Sequence, residues 1–298
     1  MEEKVEKYGR NGEVRQLICT PWEGVRLWMN EVRAESFPAN NIRYKGMWIN
    51  YCIEGSCELT VENEGYLYLG AGQICVGPNG AINAFRYPTG KYLGIELFIS
   101  ETEGNDFIRQ LLEEIGFAWT DSEKNRVGIP TEKLLGALRA ASEGLMRKSG
   151  TPENFRMLTL EILYLIGKGE ISPISKSTFL SNHQRKLALQ AAEVLQDDLA
   201  GNITLKDLAA RYGVSVSSLK KYFEIAMGSN FTVYRQKLRC KKAAELLSTT
   251  KMSVGEIAVA VGYSHQGKFG DIFRRIYGCS PLAYRRMAHS EIQAKNGN

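Results

Sequence analysis

Histidine is scarce in this chain of 298 residues: there are three, at positions 183, 265 and 289, and none before them. Their absence from the N-terminal part excludes a histidine-ligated metal centre there, and no cofactor is expected. The six cysteines (19, 52, 57, 75, 240 and 279) form no CxxC pair. They read as free, buried thiols of a reducing compartment, and none sits in the cationic setting that activates a thiolate. Long apolar runs are also missing. The most apolar stretch, "LTLEILYLIG", is interrupted by Glu161 and is too short to span a bilayer. The N-terminus "MEEKVEKYGR" is charged with no apolar segment behind it, so no signal peptide is expected. The expected location is cytoplasmic, with no membrane partner.

The net charge of +5 conceals an asymmetry. From Lys176 onward there are 19 Lys and Arg against 9 Asp and Glu, or +10; the remainder holds 19 against 24, or −5. A basic C-terminal third beside an acidic remainder points to a polyanion as the partner of one part only.

Between Val14 and Ser100 the chain alternates in short runs with glycine at the corners, the pattern of an antiparallel β-barrel or sandwich. Met47, Ile49, Tyr51 and Ile53 would share one face, with Trp48, Asn50 and Cys52 on the other. "GQICVGPNGAIN" (72–83) resembles the second cupin motif in Gly72, Pro78 and Gly80, but Asn83 stands where that motif has a metal-binding histidine. The resemblance therefore implies a cupin-like barrel over 1–125 without a metal and without an enzyme's chemistry. Trp48, Tyr51, Tyr66, Tyr68, Phe85 and Tyr87 are aromatic enough to line a small-molecule effector cavity, or to fill a core.

Helical periodicity follows. Residues 126–168 read as a helical hairpin with one stripe through Leu134, Leu138 and Leu145 and another through Phe155, Leu158, Ile162 and Leu165. Such stripes cover the barrel or join two subunits, and a homodimer is expected. Residues 169–181, rich in serine, read as a linker.

"LKDLAARYGVSVSSLKKYF" (205–223) and "VGEIAVAVGYSHQGKFGDIF" (254–273) repeat at an offset of 49. Thr204 falls on Ser253, Asp207 on Glu256, Leu208 on Ile257, Ala209 on Ala258, Gly213 on Gly262 and Ser215 on Ser264. Thr or Ser followed three residues on by an acid is a helix-start signal, an alanine allows close crossing of a second helix, and the glycine ends the first. Two such corners joined by a helix at about 231–248 spell a double helix-turn-helix, whose second helices enter the DNA major groove. The joining helix could hold them about one DNA turn, roughly 34 Å, apart.

The final stretch, "VGYSHQGKFGDIFRRIYGCSPLAYRR", carries Gly262, Tyr263, Phe269, Phe273, Gly278, Ser280, Pro281, Tyr284 and Arg285 at the spacing of one family. Residues 182–290 thereby resemble the DNA-binding domain of the AraC/XylS transcription regulators, and the order barrel, hairpin, linker and double helix-turn-helix is similar to that family's full-length layout. The fold class implied is multidomain α+β, with an all-α C-terminal domain. The resemblance implies base contacts from Ser217, Lys220 and Lys221 in the first reading helix and from Gln266, Lys268 and Asp271 in the second. Lys206, Arg274, Arg275 and Arg285 would meet phosphates. Asp271 departs from the donor many members carry there, so the second helix is expected to position more than it specifies. The function implied is effector-controlled transcription regulation, with RNA polymerase a further partner of an activator. The alternatives are a constitutive DNA-binding protein with the barrel as scaffold, or a cupin enzyme with a DNA-targeting domain.

Overall fold

The computed structural model describes residues 1–8, 12–34, 36–37, 46–61, 65–78, 85–101, 103, 106–115, 126–174 and 178–296. These form two compact units, Met1–Asn182 and His183–Asn298.

The first unit is built on antiparallel strands: β1 (Glu2–Tyr8), β2 (Gly12–Trp22), β3 (Val25–Arg33), β4 (Ser36–Phe37), β5 (Gly46–Val61), β6 (Gly65–Gly70), β7 (Ile74–Pro78), β8 (Phe85–Arg86) and β9 (Tyr92–Ser100). Then come α1 (Asp106–Glu114), β10 (Arg126–Pro130), α2 (Glu132–Met146), α3 (Pro152–Gly167), β11 (Ile171–Pro173) and β12 (Phe179–Leu180). The main pairing path is β1-β2-β3-β9-β5-β7-β10-β11. β5 is long enough to serve two sheets, pairing with β7 and β9 in its first half and with β6 and β8 in its second. A register shift between Cys52 and Glu54 marks where it bends. The pairing path closes no ring among the described residues, so what stands is a mixed helix and antiparallel-sheet unit. Asn83 and Gly80 of the cupin-like motif lie outside them.

The period-two alternation of β5 separates two faces. Met47, Ile49 and Tyr51, with Leu17, Val25, Leu27, Ile74, Val76, Ile95, Leu97 and Ile99, bury against α2 and α3. Here the expected dimer stripe is corrected. Leu134, Leu138, Leu145, Phe155 and Ile162 are core residues of the same unit, each at most 3% exposed, and Leu158 and Leu165 pack against them. An amphipathic stripe seeks the nearest apolar surface, and the sheet supplies it. The large apolar side chains that α3 leaves outside are Met157 at 67% and Tyr164 at 46% exposure. The expected linker is corrected as well: within 169–181, β11 pairs with β10 and β12 with β6, adding edge strands to the sheets.

The second unit contains α4 (Asn182–Asp197), α5 (Leu205–Arg211), α6 (Val216–Met227), α7 (Phe231–Thr249), α8 (Val254–Ala260), α9 (Gln266–Tyr277) and α10 (Pro281–Asn296). Around the second corner, Cys240, Ala243 and Leu247 of α7 join Ile257, Ala258, Phe269, Ile272 and Phe273 in one cluster. Among the described residues no helix is long and apolar enough to cross a membrane.

Candidate functional site

Each helix-turn-helix begins with the same reciprocal cap. Thr204 Oγ1 accepts from the Asp207 amide at 3.2 Å while Asp207 Oδ2 accepts from the Thr204 amide at 2.8 Å. Ser253 and Glu256 repeat this at 3.2 and 2.7 Å. These donors hold both carboxyls below their ordinary range, chiefly the Thr204 hydroxyl for Asp207 and the Ser253 amide for Glu256. Leu208, Ala209, Ile257 and Ala258 are buried, so the second helix of each pair crosses over an alanine. Gly213 (φ +67°) and Gly262 (φ +87°) end the first helices in the left-handed region, where a side chain is strained.

The two turns then diverge. Ser215 caps α6, accepting from the Ser218 amide at 3.1 Å, whereas the residue before α9 is His265, whose side chain makes no cap bond. The expected pairing of Ser215 with Ser264 is therefore displaced by one residue, because the second turn is one longer. From there on the offset is 50. Phe223 and Phe273 are both fully buried, Tyr234 meets Phe223 edge-on at 5.3 Å, and Tyr284 meets Phe273 at 5.6 Å. Asn230 accepts from Val233 N and Ser280 from Ala283 N, so both following helices are capped alike. Arg235 donates to the Ile203 carbonyl, and Arg285 to the Met252 carbonyl at 2.5 Å. Each arginine seals the segment that leads into its own first helix.

Of the expected DNA-facing residues, Ser217, Lys220 and Lys221 are exposed on α6, opposite the buried Leu219, Phe223 and Ala226. Ser217 also shares a hydroxyl contact of 2.9 Å with Ser215. Gln266, Lys268, Asp271 and Arg274 are exposed on α9, and Lys206 on α5. Arg275 is exposed but leans on α7, donating to Gln236 at 2.9 Å. Arg285 departs from its expected phosphate role: its guanidinium is committed to the Met252 and Leu247 carbonyls. On α7, Arg239 and Arg235 do not lie on an outer cationic face as their charge suggests; Arg239 is buried and Arg235 half-buried.

The inner face of the first unit's sheet, opposite the helices, gathers residues the aromatic set missed. Glu96 is buried on β9, opposite Trp28 of β3 and Asn50 of β5. Asn30 Nδ2 donates to it at 2.7 Å, the Tyr92 hydroxyl lies 3.3 Å away, and the side chains of Trp28 and Trp48 also donate to it. Burial pushes this carboxyl up to about 7 against the pull of those neutral donors. Gln16 donates to Asn30, and Tyr92 to Asn50, both at 2.7 Å. Tyr92 reaches that far because Gly94 leaves room: a Cβ there would stand 2.0 Å from the Tyr92 hydroxyl. Trp48 packs with Trp28 at 5.0 Å and Phe98 at 5.5 Å on this face.

Of the expected effector aromatics, Trp48 and Tyr87 belong to this inner side, Tyr87 lying 5.3 Å from Tyr92. Tyr51 belongs to the helix-facing core instead. Tyr66 and Tyr68 alternate with the inward Leu67 and Leu69 and so face the other way, and the Tyr68 hydroxyl is bound to Glu58 at 2.5 Å. The side chain of Phe85 lies outside the described residues. One acid in an apolar strand, Glu96 in "GIELFI", was the available signal. Among the described residues no group of three or more potential ligands could hold a metal ion.

A family profile described as a helix-turn-helix domain matches residues 208–287. The transcriptional activator RhaR of Mannheimia succiniciproducens is 33% identical over 91 residues, covering 30% of this chain and 33% of its own length. The transcriptional regulator ExsA of Pseudomonas aeruginosa is 25% identical over 201 residues, covering 64% of this chain and 70% of its own. Among solved structures, the C-terminal domain of AraT, a response regulator from Geobacillus stearothermophilus, is 33% identical, with a TM-score of 0.33 over 34% of this chain and 84% of that one. This chain thus spans only a third of RhaR's length. These relatives are named as regulators, not as enzymes.

Proposed function

The chain belongs to the AraC/XylS family of transcription regulators by its C-terminal unit, and from that premise we propose that it binds duplex DNA with α6 and α9 in successive major grooves, under the control of a small molecule held by its N-terminal unit. The observation that carries this reading is the repeat of two corners, each opened by a reciprocal capping box, backed by a buried phenylalanine and presenting an exposed polar helix. Phosphate neutralisation by the exposed lysines and arginines gives such binding a steep salt dependence. Fluorescence anisotropy on duplexes enriched from a random pool, repeated from low to high salt, tests it. Saturable binding whose affinity falls steeply with salt is expected; salt-independent association rules the reading out.

The effector site is the inner sheet face, where Glu96, Asn30, Asn50 and Tyr92 offer polar groups beside Trp28, Trp48 and Phe98. Few convergent polar groups within an aromatic wall suit a small ligand. A metabolite panel read by thermal shift should raise the melting point of the first unit. Indifference to every compound would instead favour a scaffold role and constitutive DNA binding. Pairing of two chains, if the regulator works as a dimer, uses the outer side of α3 at Met157 and Tyr164, since the inner stripe is spent on the sheet. Sedimentation at micromolar concentration, comparing wild type with Met157→Glu, tests this: a mass of two chains reduced to one is expected.

A further inference from the structure

Arg239 does something neither corner can do for itself. It lies on α7 at 8% exposure, and its guanidinium has three carbonyl partners from two separate places. Nε donates to Leu199 at 2.7 Å and Nη2 to Gly201 at 3.0 Å, both in the segment that enters the first helix-turn-helix. Nη1 donates to Gly262 at 2.9 Å, the glycine inside the turn of the second. The ring of Tyr263 lies beneath, 5.3 Å from the guanidinium carbon. A Cβ on Gly262 would fall 2.7 Å from Nη2 and 2.8 Å from the Ala200 Cα, so the two segments meet with the guanidinium seated between them.

The arrangement breaks the repeat. Arg235 and Arg285 are equivalent and each serves its own corner. Fifty residues beyond Arg239 stands His289, exposed on α10, with no second corner to reach. A helix alone fixes the distance between two units but leaves each free to rock about its contact with the helix. A planar fork with a fixed set of N–H directions removes that rocking, because three acceptors determine both position and plane. Lysine, with a single point charge, cannot hold three carbonyls in that geometry.

We infer that Arg239 is the positioning residue that sets the register between the two reading helices, so that the DNA site of this chain consists of two half-elements at one fixed spacing. The inference rests on the reading of α6 and α9 as groove-entering helices. Two extra base pairs between half-elements turn the second groove by about 70° and move it by about 7 Å, which a locked pair cannot follow.

The test is selection of binding sites from random duplexes by the full chain, its Arg239→Met variant and its Arg239→Lys variant, followed by insertion of two base pairs into the selected sites. Wild type should return paired half-elements at a single spacing and lose at least about 30-fold in affinity on insertion. Arg239→Met should return the same half-elements at several spacings and lose less than about threefold on insertion, with Arg239→Lys close to it. A folded Arg239→Met protein that keeps the wild-type spacing and the wild-type insertion loss overturns the inference, as does a general weakening on all sites without a change of spacing. Should the methionine variant fail to fold, Arg239→Lys and the insertion series on wild type decide in the same way; tolerance of the insertion by wild type also overturns the inference. A wild-type selection without any paired half-elements removes the groove-reading proposal itself, and this one with it.

Discussion

The two helix-turn-helix copies agree in what they bury and differ in what they expose. Capping boxes, crossing alanines, left-handed glycines, the Phe223/Phe273 and Tyr234/Tyr284 pairs and the Arg235/Arg285 seals recur. The outer faces do not recur. α6 starts from a serine cap and carries Ser217, Lys220 and Lys221. α9 starts from an uncapped His265, carries Asp271, and has Gly267 and Gly270 in its interior with open space where side chains would be. Burial constrains a residue through many neighbours at once, whereas an exposed face answers only to its ligand. Apart from the longer second turn and the buried Arg239, the divergence lies on the exposed faces, as two readers of different half-elements require.

The largest test of the comparison is affinity. Replacing Lys220 and Lys221 by alanine should weaken DNA binding by about 4 kcal/mol, roughly a thousandfold, if both lysines meet base edges. Gln266→Ala with Lys268→Ala should cost about tenfold, since a helix opened by two glycines contributes less readout. Equal losses would break the contrast between the reading faces.

The next test contrasts the helical copies with the sheet unit. The copies' buried ions are guanidiniums, which do not titrate near neutrality, but the sheet unit buries Glu96. Its carboxyl is raised from an ordinary 4.5 to about 7 on folding, so between those values the folded state holds a proton that the unfolded state releases. Stability of the sheet unit should therefore be greatest below pH 4.5 as far as this group is concerned, fall as pH rises through the window, and level off above 7. The expected difference is roughly 3 kcal/mol, and Glu96→Gln should abolish the slope. All four tryptophans lie in residues 1–182, so urea titrations followed by tryptophan fluorescence report this unit alone.

Smaller effects sharpen the scaffold half of the comparison. Arg235→Ala and Arg285→Ala should each lower the stability of the helical unit by about 1.5 kcal/mol, nearly alike, as measured by circular dichroism in urea. A large inequality would mean the seals are not equivalent. Least in size, Gly267→Ala and Gly270→Ala should each stabilise that unit by about 0.5–1 kcal/mol, because neither added methyl meets a neighbour. Comparable substitutions on α6 have no glycine to remove.

The helical unit was legible in the sequence because its rules are local. Caps, terminating glycines and helix-spaced phenylalanines lie within a few residues of what they determine, so Thr204/Asp207 and Ser253/Glu256 could be read directly. The extra residue of the second turn was not legible, since serine is the better helix cap and Ser264 therefore draws the expected start of α9 one residue early. The role of Arg239 was not legible, because its partners are backbone carbonyls, which leave no trace in the residue types around them. In the sheet unit the alternation of Met47, Ile49 and Tyr51 against Trp48, Asn50 and Cys52 was readable, and it separates the two faces. What lay beyond reach was long-range. Asn30 and Glu96 are 66 residues apart, and the stripes of α2 and α3 do not say which apolar surface will receive them.

Gly94 is the smallest residue on the inner sheet face and governs much of its chemistry. A methyl group there would evict the tyrosine hydroxyl that crosses above it, leaving the amide oxygen of Asn50 unanswered and taking away the polar neighbour that stands 3.3 Å from Glu96. Enlarging a position that itself makes no polar contact would thus disable two that do. A survey that ranked residues by the bonds they form would overlook the vacancy on which those bonds depend.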